Sequence, residues 1–218
     1  MSEAFPLTVG TAAPMLQKNI DTDTIAPGSR TLKGEAAKAG FRERRLQGSA
    51  SLAEDLFANL RYDEEGREIP EFILNQPGYR EAKILLAGEN FGCGSSRESA
   101  VWMLKQFGIR CVIAPSFGEI FMANCFKNSF LPLVLPADQV RALAEEALPE
   151  ASFTLDLQQD SITTPSGKVT RIELPEFRRR LLLQGLDEIQ LTLQMEPQIT
   201  DFLKNAMEVY PWAYQLPR

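Results

Sequence analysis

Short apolar runs alternate with helical patterns through the middle of the chain. Each run is continuous and short, as in a buried strand: AKILLAG (82–88), IRCVIAP (109–115) and LPLVLP (131–136). The segments between them have apolar residues at helical spacing, from Ser96 to Gly108 and from about Glu119 to Asn128, and another helix is predicted from near Ala137. This βαβαβ order predicts an α/β fold with a mainly parallel central sheet.

The flanks of this unit have weaker patterns. Residues 1–76 are rich in turn-forming and charged residues and are predicted to be a loop-rich, site-building segment, with helical spacing only at 51–62. Residues 152–174 alternate apolar and polar positions on both sides of Pro165–Gly167, which predicts a hairpin or a short meander. Two helices, near 175–184 and 197–208, are predicted after it, with 195–218 as a helical tail. Since no repeat or low-complexity linker interrupts the pattern, 1–218 is interpreted as one domain.

Charge and composition exclude several classes of partner. The chain has 218 residues and a formal net charge of -6, and its Lys and Arg do not form the clusters that nucleic acid or an anionic membrane requires. No segment approaches the about 20 apolar residues of a membrane span, and MSEAFPLTVG lacks the pattern of a signal peptide. We therefore expect a cytoplasmic protein.

Residues that commonly bind metals are few. The three cysteines, Cys93, Cys111 and Cys125, fit neither a disulfide framework nor paired CxxC ligation, so we interpret them as small hydrophobic residues. There is no histidine, which removes the commonest general base and the commonest metal ligand. No metal site is predicted in this chain.

The segment ENFGCGSSRESA (89–100) carries the candidate chemistry. Gly92 and Gly94 fall in the predicted loop between a strand and a helix, where backbone amides can converge on an anion, and Arg97 offers a two-pronged clamp for a carboxylate. The alternative is structural, with Ser95 or Ser96 capping the helix and Glu98 completing a capping box. A dinucleotide fingerprint is disfavoured, because Arg97 stands where its third glycine should be.

A wider set of motifs resembles a known family. GENFGCGSSRE (88–98) is accompanied, in order, by NIDTD (19–23), LRYDEEG (60–66), FILN (72–75) and GLDEIQLTLQ (185–194). Together they resemble the small subunits of 3-isopropylmalate dehydratase, in the aconitase superfamily.

That resemblance implies a fold, a reaction and a partner. The fold would be the single three-layer swivelling β/β/α domain. The reaction would be the isomerisation of 2-isopropylmalate to 3-isopropylmalate by loss and return of water, in leucine biosynthesis. The [4Fe-4S] cluster would be held by three cysteines of a separate large subunit, in a heterodimer or heterotetramer, and none would be bound by this chain.

The resemblance also assigns roles to residues. Ser95, deprotonated, would be the catalytic base, and Arg97 would bind a carboxylate of a small hydroxy-dicarboxylate substrate. The aspartates of NIDTD would lie near the active site and order its loop or hold Arg97, although either alone could simply form an Asx-turn. Further substrate contacts are expected from Gly94, Ser96, Asp21, Asp23, Arg30 and Lys33.

Two departures from the family pattern concern the substrate. Ser99 stands where the family commonly has histidine, and the loop at 27–45 is longer and more basic than usual. Three hypotheses remain: an isopropylmalate isomerase subunit, a paralogous hydro-lyase subunit for citramalate or dimethylmalate, and a non-catalytic assembly subunit whose SSRE is only a helix cap.

Overall fold

A single seven-stranded sheet organises the chain. The computed structural model describes residues 4–5, 7–28, 52–186 and 188–214. The strands are β1 (Leu7–Met15), β2 (Ile84–Ala87), β3 (Cys111–Ala114), β4 (Leu131–Val134), β5 (Ser152–Asp156), β6 (Ser161–Thr163) and β7 (Val169–Arg171). Their order across the sheet is β4-β3-β2-β1-β5-β6-β7.

Strand β1 joins a parallel half of the sheet to an antiparallel half. Its residues 12–15 pair in parallel with β2, and β2, β3 and β4 continue the parallel ladder. Its residues 7–11 pair antiparallel with β5, and β6 and β7 complete a meander. The predicted α/β fold, its parallel strands and the meander are therefore confirmed, with the parallel pairings confined to one half of the sheet.

The sequence did not predict β1. Its sequence, LTVGTAAPM, contains glycine, alanine and proline, which have low β-propensity, and Leu7 and Val9 are exposed. This strand nevertheless lies at the centre of the sheet, inside the segment that we predicted to be loop-rich.

Helices cover the sheet and form the C-terminal tail. They are α1 (Thr22–Ile25), α2 (Leu52–Asp55), α3 (Ala58–Arg61), α4 (Ser99–Phe107), α5 (Glu119–Lys127), α6 (Ala137–Glu146), α7 (Glu176–Gln184), α8 (Glu188–Leu193) and α9 (Glu196–Val209). The helical pattern at 51–62 forms two short helices because Phe57, between them, has a left-handed φ of 50°. Short 3-10 turns occupy Ile73–Asn75, Pro77–Tyr79 and Pro211–Ala213.

Both faces of the parallel half are buried, apart from Val134 at the end of the edge strand β4. Alternate residues of β2 enter different core clusters, Leu85 and Ala87 on one face and Ile84 and Leu86 on the other. This two-sided burial explains why the parallel strands have continuous apolar sequences. By contrast, Ala206 is the one buried residue of α9. No helix in the described part of the chain is long and apolar enough to cross a membrane.

Candidate active site

Three loops meet beyond the carboxyl ends of the parallel strands, where ligands commonly bind in α/β sheets. The loop after β2 lies between the loops that follow β1 and β3. The Gly92 amide donates to Ile20 O at 2.7 Å on one side, and the Gly118 amide donates to Phe91 O at 2.8 Å on the other. Isolated β-bridges, Asp21 with Cys93 and Phe91 with Phe117, tie the same loops together. The resemblance placed NIDTD near SSRE, and the structure brings these segments into contact.

Glycine is required at the centre of this arrangement. Gly92 has a φ of +72°, and a Cβ there would lie 2.3 Å from the ring of Phe121. That ring stacks on Phe117 at 6.2 Å and meets Phe91 edge-on at 5.5 Å. The aromatic cluster thus packs directly against the loop and leaves no room for a side chain at position 92.

The helix that follows the loop begins later than predicted. Helix α4 begins at Ser99, its N-cap is Glu98, and the Glu98 side chain makes no capping hydrogen bond. Instead, the Glu98 carboxylate accepts a hydrogen bond from Asn128 Nδ2 at 2.8 Å. The structural alternative, in which Ser95 or Ser96 caps the helix and Glu98 completes a capping box, is therefore wrong, because both serines precede the helix. The helix dipole also acts further from Ser95 than we expected, since its effect is confined to the first turn.

Ser95, Ser96 and Gly94 form an exposed surface of this loop. Beneath them, the buried hydroxyl of Thr22 donates to Ser95 O at 2.8 Å and lies 3.3 Å from Ser95 Oγ. Thr22 was not among the site residues predicted from the sequence. The signal that could have identified it as a site residue is its position between Asp21 and Asp23, which were predicted to lie near the active site. The structure buries this polar side chain beneath the site loop.

Arg97 is held from the NIDTD side. Its Nη2 lies 2.5 Å from Asp23 Oδ1, and its Nη1 donates to Ala26 O at 3.2 Å. The Arg97 side chain remains 37% exposed, so an anion in solution can reach it. Of the two alternatives for Asp23, holding Arg97 is the one that the structure supports.

Asp21 orders the same loop without contacting the arginine directly. Its Oδ1 accepts the Thr24 amide at 2.7 Å and caps α1, as the structural alternative anticipated. Hydrogen bonding from Thr24 lowers the pKa of the Asp21 carboxyl below its usual value of 3.8, and the nearby positive charge of Arg97 contributes a smaller decrease. Asp21 therefore fixes α1, and α1 presents Thr22 and Asp23 to the loop after β2.

The cysteines do not form a cluster site. Cys111 on β3 and Cys125 on α5 are fully buried, and burial raises the pKa of both thiols well above the usual value. Cys93 is partly exposed in the site loop. Among the described residues there is no group of three His, Cys, Asp or Glu side chains that could hold a metal ion. These residues do not fit an iron–sulfur cluster. Arg30 and Lys33 lie outside the described residues.

The fold and this site define the class of protein. It is an α/β domain whose candidate catalytic loop, GCGSSR (92–97), lies at the carboxyl ends of parallel strands and exposes Gly94, Ser95 and Ser96, and its described residues contain no group of three His, Cys, Asp or Glu side chains that could hold a metal ion. Residues 3–138 match the family described as Aconitase C-terminal domain.

Relatives of similar length identify the family more specifically. The 3-isopropylmalate dehydratase small subunit of Roseobacter denitrificans is 44% identical over 214 residues, which cover 96% of this chain and 99% of the relative. The protein of the same name from Parvibaculum lavamentivorans is 45% identical over the same shares. The chain belongs to this family, the small subunits of 3-isopropylmalate dehydratase.

A solved structure also resembles the fold. It is the crystal structure of 3-isopropylmalate dehydratase (LeuD) from Methanocaldococcus jannaschii, with a TM-score of 0.59 and 27% sequence identity. The match covers 89% of this chain and 99% of the other.

Proposed function

We propose that this chain is the small subunit of a 3-isopropylmalate dehydratase, a hydro-lyase that interconverts 2-isopropylmalate and 3-isopropylmalate through 2-isopropylmaleate in leucine biosynthesis. The main support is full-length similarity: relatives of that name are 44–45% identical and align over 96% of the chain. An exposed Ser95 and an anchored, partly exposed Arg97, on the loop at the carboxyl end of β2, also support the proposal, because a base and a group that binds a carboxylate are two of the groups that this reaction needs.

In the proposed reaction, Ser95 removes a proton from the carbon next to a substrate carboxylate. The C–H bond breaks, the proton passes to Ser95 Oγ, and the electron pair forms the double bond of the unsaturated intermediate as the hydroxyl group leaves. During rehydration, the hydroxyl group adds to the carbon that lost the proton, and Ser95 gives its proton to the carbon that lost the hydroxyl group, which consumes the double bond and leaves Ser95 deprotonated again. A positioned side chain that transfers a proton in this way contributes roughly 10²–10⁴ in rate.

Arg97 is proposed to bind a substrate carboxylate and to keep it beside Ser95. Asp23 and Ala26 each occupy one N–H of its five-donor guanidinium, which leaves donors for a carboxylate and also fixes the plane of the group. Its positive charge would also stabilise deprotonated Ser95. Gly94 and Ser96 are proposed to contact the same substrate, because both are exposed beside Ser95, and Arg30 and Lys33 are proposed to meet its second carboxylate.

The proposal assigns the remaining chemistry to a cluster-bearing large subunit, with which this chain would form a heterodimer or heterotetramer. There a [4Fe-4S] cluster would supply the Lewis acid for the departing hydroxyl group. An apolar surface on α9, with Ile199, Phe202, Leu203 and Met207 exposed, supports a role in an assembly, because exposed apolar patches commonly mark interaction surfaces. A cytoplasmic location is proposed with it, since the unpaired thiols suit a reducing compartment.

The test is reconstitution of the chain with the large subunit, followed by assay with 3-isopropylmalate. Ser95→Ala should lower turnover by about two to four orders of magnitude. The exposed Ser152 on β5 provides the control Ser152→Ala, which should retain normal turnover. Near-normal turnover in Ser95→Ala, with association intact, would overturn the proposed role.

A second candidate function is tested in the same assay, because Ser99 departs from the family pattern. It replaces the histidine common in the family and forms the first residue of α4, directly after the site loop. A paralogous hydro-lyase subunit would be active with citramalate or dimethylmalate and inactive with isopropylmalate. A complex that forms but turns over none of these acids would support the assembly-subunit hypothesis, although the helix-cap interpretation that motivated it is wrong.

A further inference from the structure

Thr22 contacts the proposed base through both its backbone and its side chain. The residue is 1% exposed, and its amide donates to Cys93 O at 2.9 Å, which fixes the backbone just before Gly94. Its hydroxyl donates to Ser95 O at 2.8 Å and lies 3.3 Å from Ser95 Oγ. A buried threonine therefore contacts the main chain and the side-chain oxygen of Ser95 together.

The number of protons between these groups determines the direction of each bond. A threonine hydroxyl has one hydrogen, and a carbonyl oxygen can only accept. While that hydrogen points to Ser95 O, the hydroxyl of Ser95 must be the donor in the contact with Thr22 Oγ1. Once Ser95 has lost its proton, its Oγ can only accept. The Thr22 hydrogen then reaches Ser95 Oγ by rotation of the hydroxyl, and the resulting charge-assisted bond is stronger than the one it replaces.

We propose that Thr22 is a positioning residue for the base, whose hydroxyl orients Ser95 when it is protonated and stabilises it by hydrogen bonding when it is deprotonated. The inference rests on the proposed role of Ser95. Among the described residues, the charged groups on the segments that meet at Ser95 are Lys18, Asp21 and Asp23 on the α1 side and Glu89, Arg97 and Glu98 on the site loop. Glu89 pairs with Lys18, Arg97 pairs with Asp23, and Glu98 accepts a hydrogen bond from Asn128. None of them can replace Thr22 as a neutral donor from beneath the loop.

The test compares Thr22→Val with Thr22→Ser in the complex with the large subunit. Valine keeps the shape of threonine and removes the hydroxyl, whereas serine keeps the hydroxyl. A hydrogen bond to a charged group is worth about 1.5–3 kcal/mol, so Thr22→Val should lower turnover about 10- to 100-fold. KM should change less than about twofold, because Thr22 is buried beneath the loop and is proposed to make no contact with substrate. Thr22→Ser should restore most of the turnover.

A pH profile separates this role from mere support of the loop. Without the Thr22 hydroxyl, deprotonated Ser95 is less stable, so the ascending limb of turnover should move to higher pH in Thr22→Val. A purely structural role would change stability or KM and leave that limb in place. If Thr22→Val impairs association, Thr22→Ala, which introduces no added bulk, is measured in the same way.

Thr164 provides a matched control. It is also buried, and its hydroxyl lies 3.0 Å from Ser166 Oγ, in the turn between β6 and β7. Thr164→Val should leave turnover and the pH profile unchanged. Normal turnover in Thr22→Val, or a loss with no shift of the limb, would overturn the inference. If Ser95→Ala is inactive while Thr22→Val is normal, only the inference about Thr22 fails; if Ser95→Ala is active, the proposed base itself fails.

Discussion

Asp23 and Arg97 form an ion pair across two loops, with Asp23 Oδ1 2.5 Å from Arg97 Nη2. Asp23 lies in α1, after β1, and Arg97 lies in the loop after β2. These strands are parallel neighbours, so their carboxyl ends bring the two residues to the same edge of the sheet. The pair therefore depends on the pairing of β1 with β2, and it fixes a cation beside the exposed serines.

Arg97→Lys is expected to lower kcat/KM about 10- to 100-fold, the value of one hydrogen bond to a charged group. Lysine keeps the charge, but it lacks the planar guanidinium, which contacts Asp23 and Ala26 and is proposed to donate two further hydrogen bonds to a substrate carboxylate. Arg67→Lys is the matched control, because Arg67 is 74% exposed and pairs with Asp63. An unchanged kcat/KM in Arg97→Lys would mean that the arginine is structural.

Asp23→Asn should raise KM about two- to fivefold, because Arg97 loses the ion pair that fixes its position for the substrate carboxylate. The effect is small because the interaction energy of a partly exposed ion pair is small. Unfolding free energy should change by less than about 1 kcal/mol for the same reason. Steady-state kinetics and urea unfolding measure the two effects, with Asp63→Asn as the control. A lower KM would show instead that Asp23 weakens the attraction of Arg97 for the substrate.

Gly92→Ala should destabilise the fold by roughly 2–5 kcal/mol, since it combines left-handed strain with overpacking against Phe121. Gly167→Ala separates the two causes: Gly167 has a φ of +87° and no atom within 4 Å of an added Cβ, so only the strain applies. Urea unfolding of both variants gives the comparison. Equal losses would contradict the close packing of the site loop against the aromatic cluster.

Much of the parallel half could be predicted from sequence, for a physical reason. Strands buried on both faces have continuous apolar runs, and β2, β3 and β4 were recognised in this way. Strand β1 could not be recognised, because it changes partner along its length. Ala12, Ala13 and Met15 are buried beside β2, whereas Leu7 and Val9 are exposed beside β5, so no single pattern covers the strand.

The site was predicted in outline and not in detail. The family resemblance predicted that NIDTD lies near the site loop. The structure adds the individual contacts that Asp21 and Asp23 make there. The start of α4 was not predictable, since a capping box depends on backbone angles at the helix end that SSRE alone does not determine. Glu98 already has helical angles, φ -63° and ψ -27°, and its carboxylate bonds to Asn128 instead.

Asp21→Ala should cost about 1 kcal/mol of stability at pH 7, the typical value of a helix N-cap. Asp21→Asn should cost less, because the amide oxygen can still accept the Thr24 amide. The pKa of Asp21 is lower in the folded protein than the usual 3.8, so its ionised form stabilises the fold above that pH. That stabilisation is lost as pH falls through the folded pKa. Urea unfolding should therefore show that the difference in stability between wild type and Asp21→Ala begins to shrink below about pH 3.8 and falls, as pH passes through the lower folded pKa, to the smaller contribution of an uncharged cap; a constant difference down to acid pH would contradict the assignment.

Alkylation of the folded chain with iodoacetamide should modify Cys93 alone. Cys111 and Cys125 are fully buried, and burial raises the pKa of both thiols, so they remain protonated and inaccessible at the usual labelling pH. Cys93 lies partly exposed in the site loop. Mass spectrometry should find one modified cysteine in the native chain and three after unfolding in urea, and Cys93→Ser should leave the native chain unmodified. Rapid labelling of Cys111 or Cys125 in the native state would show that these thiols can reach a ligand, and the isolated chain would then have to be tested for iron binding.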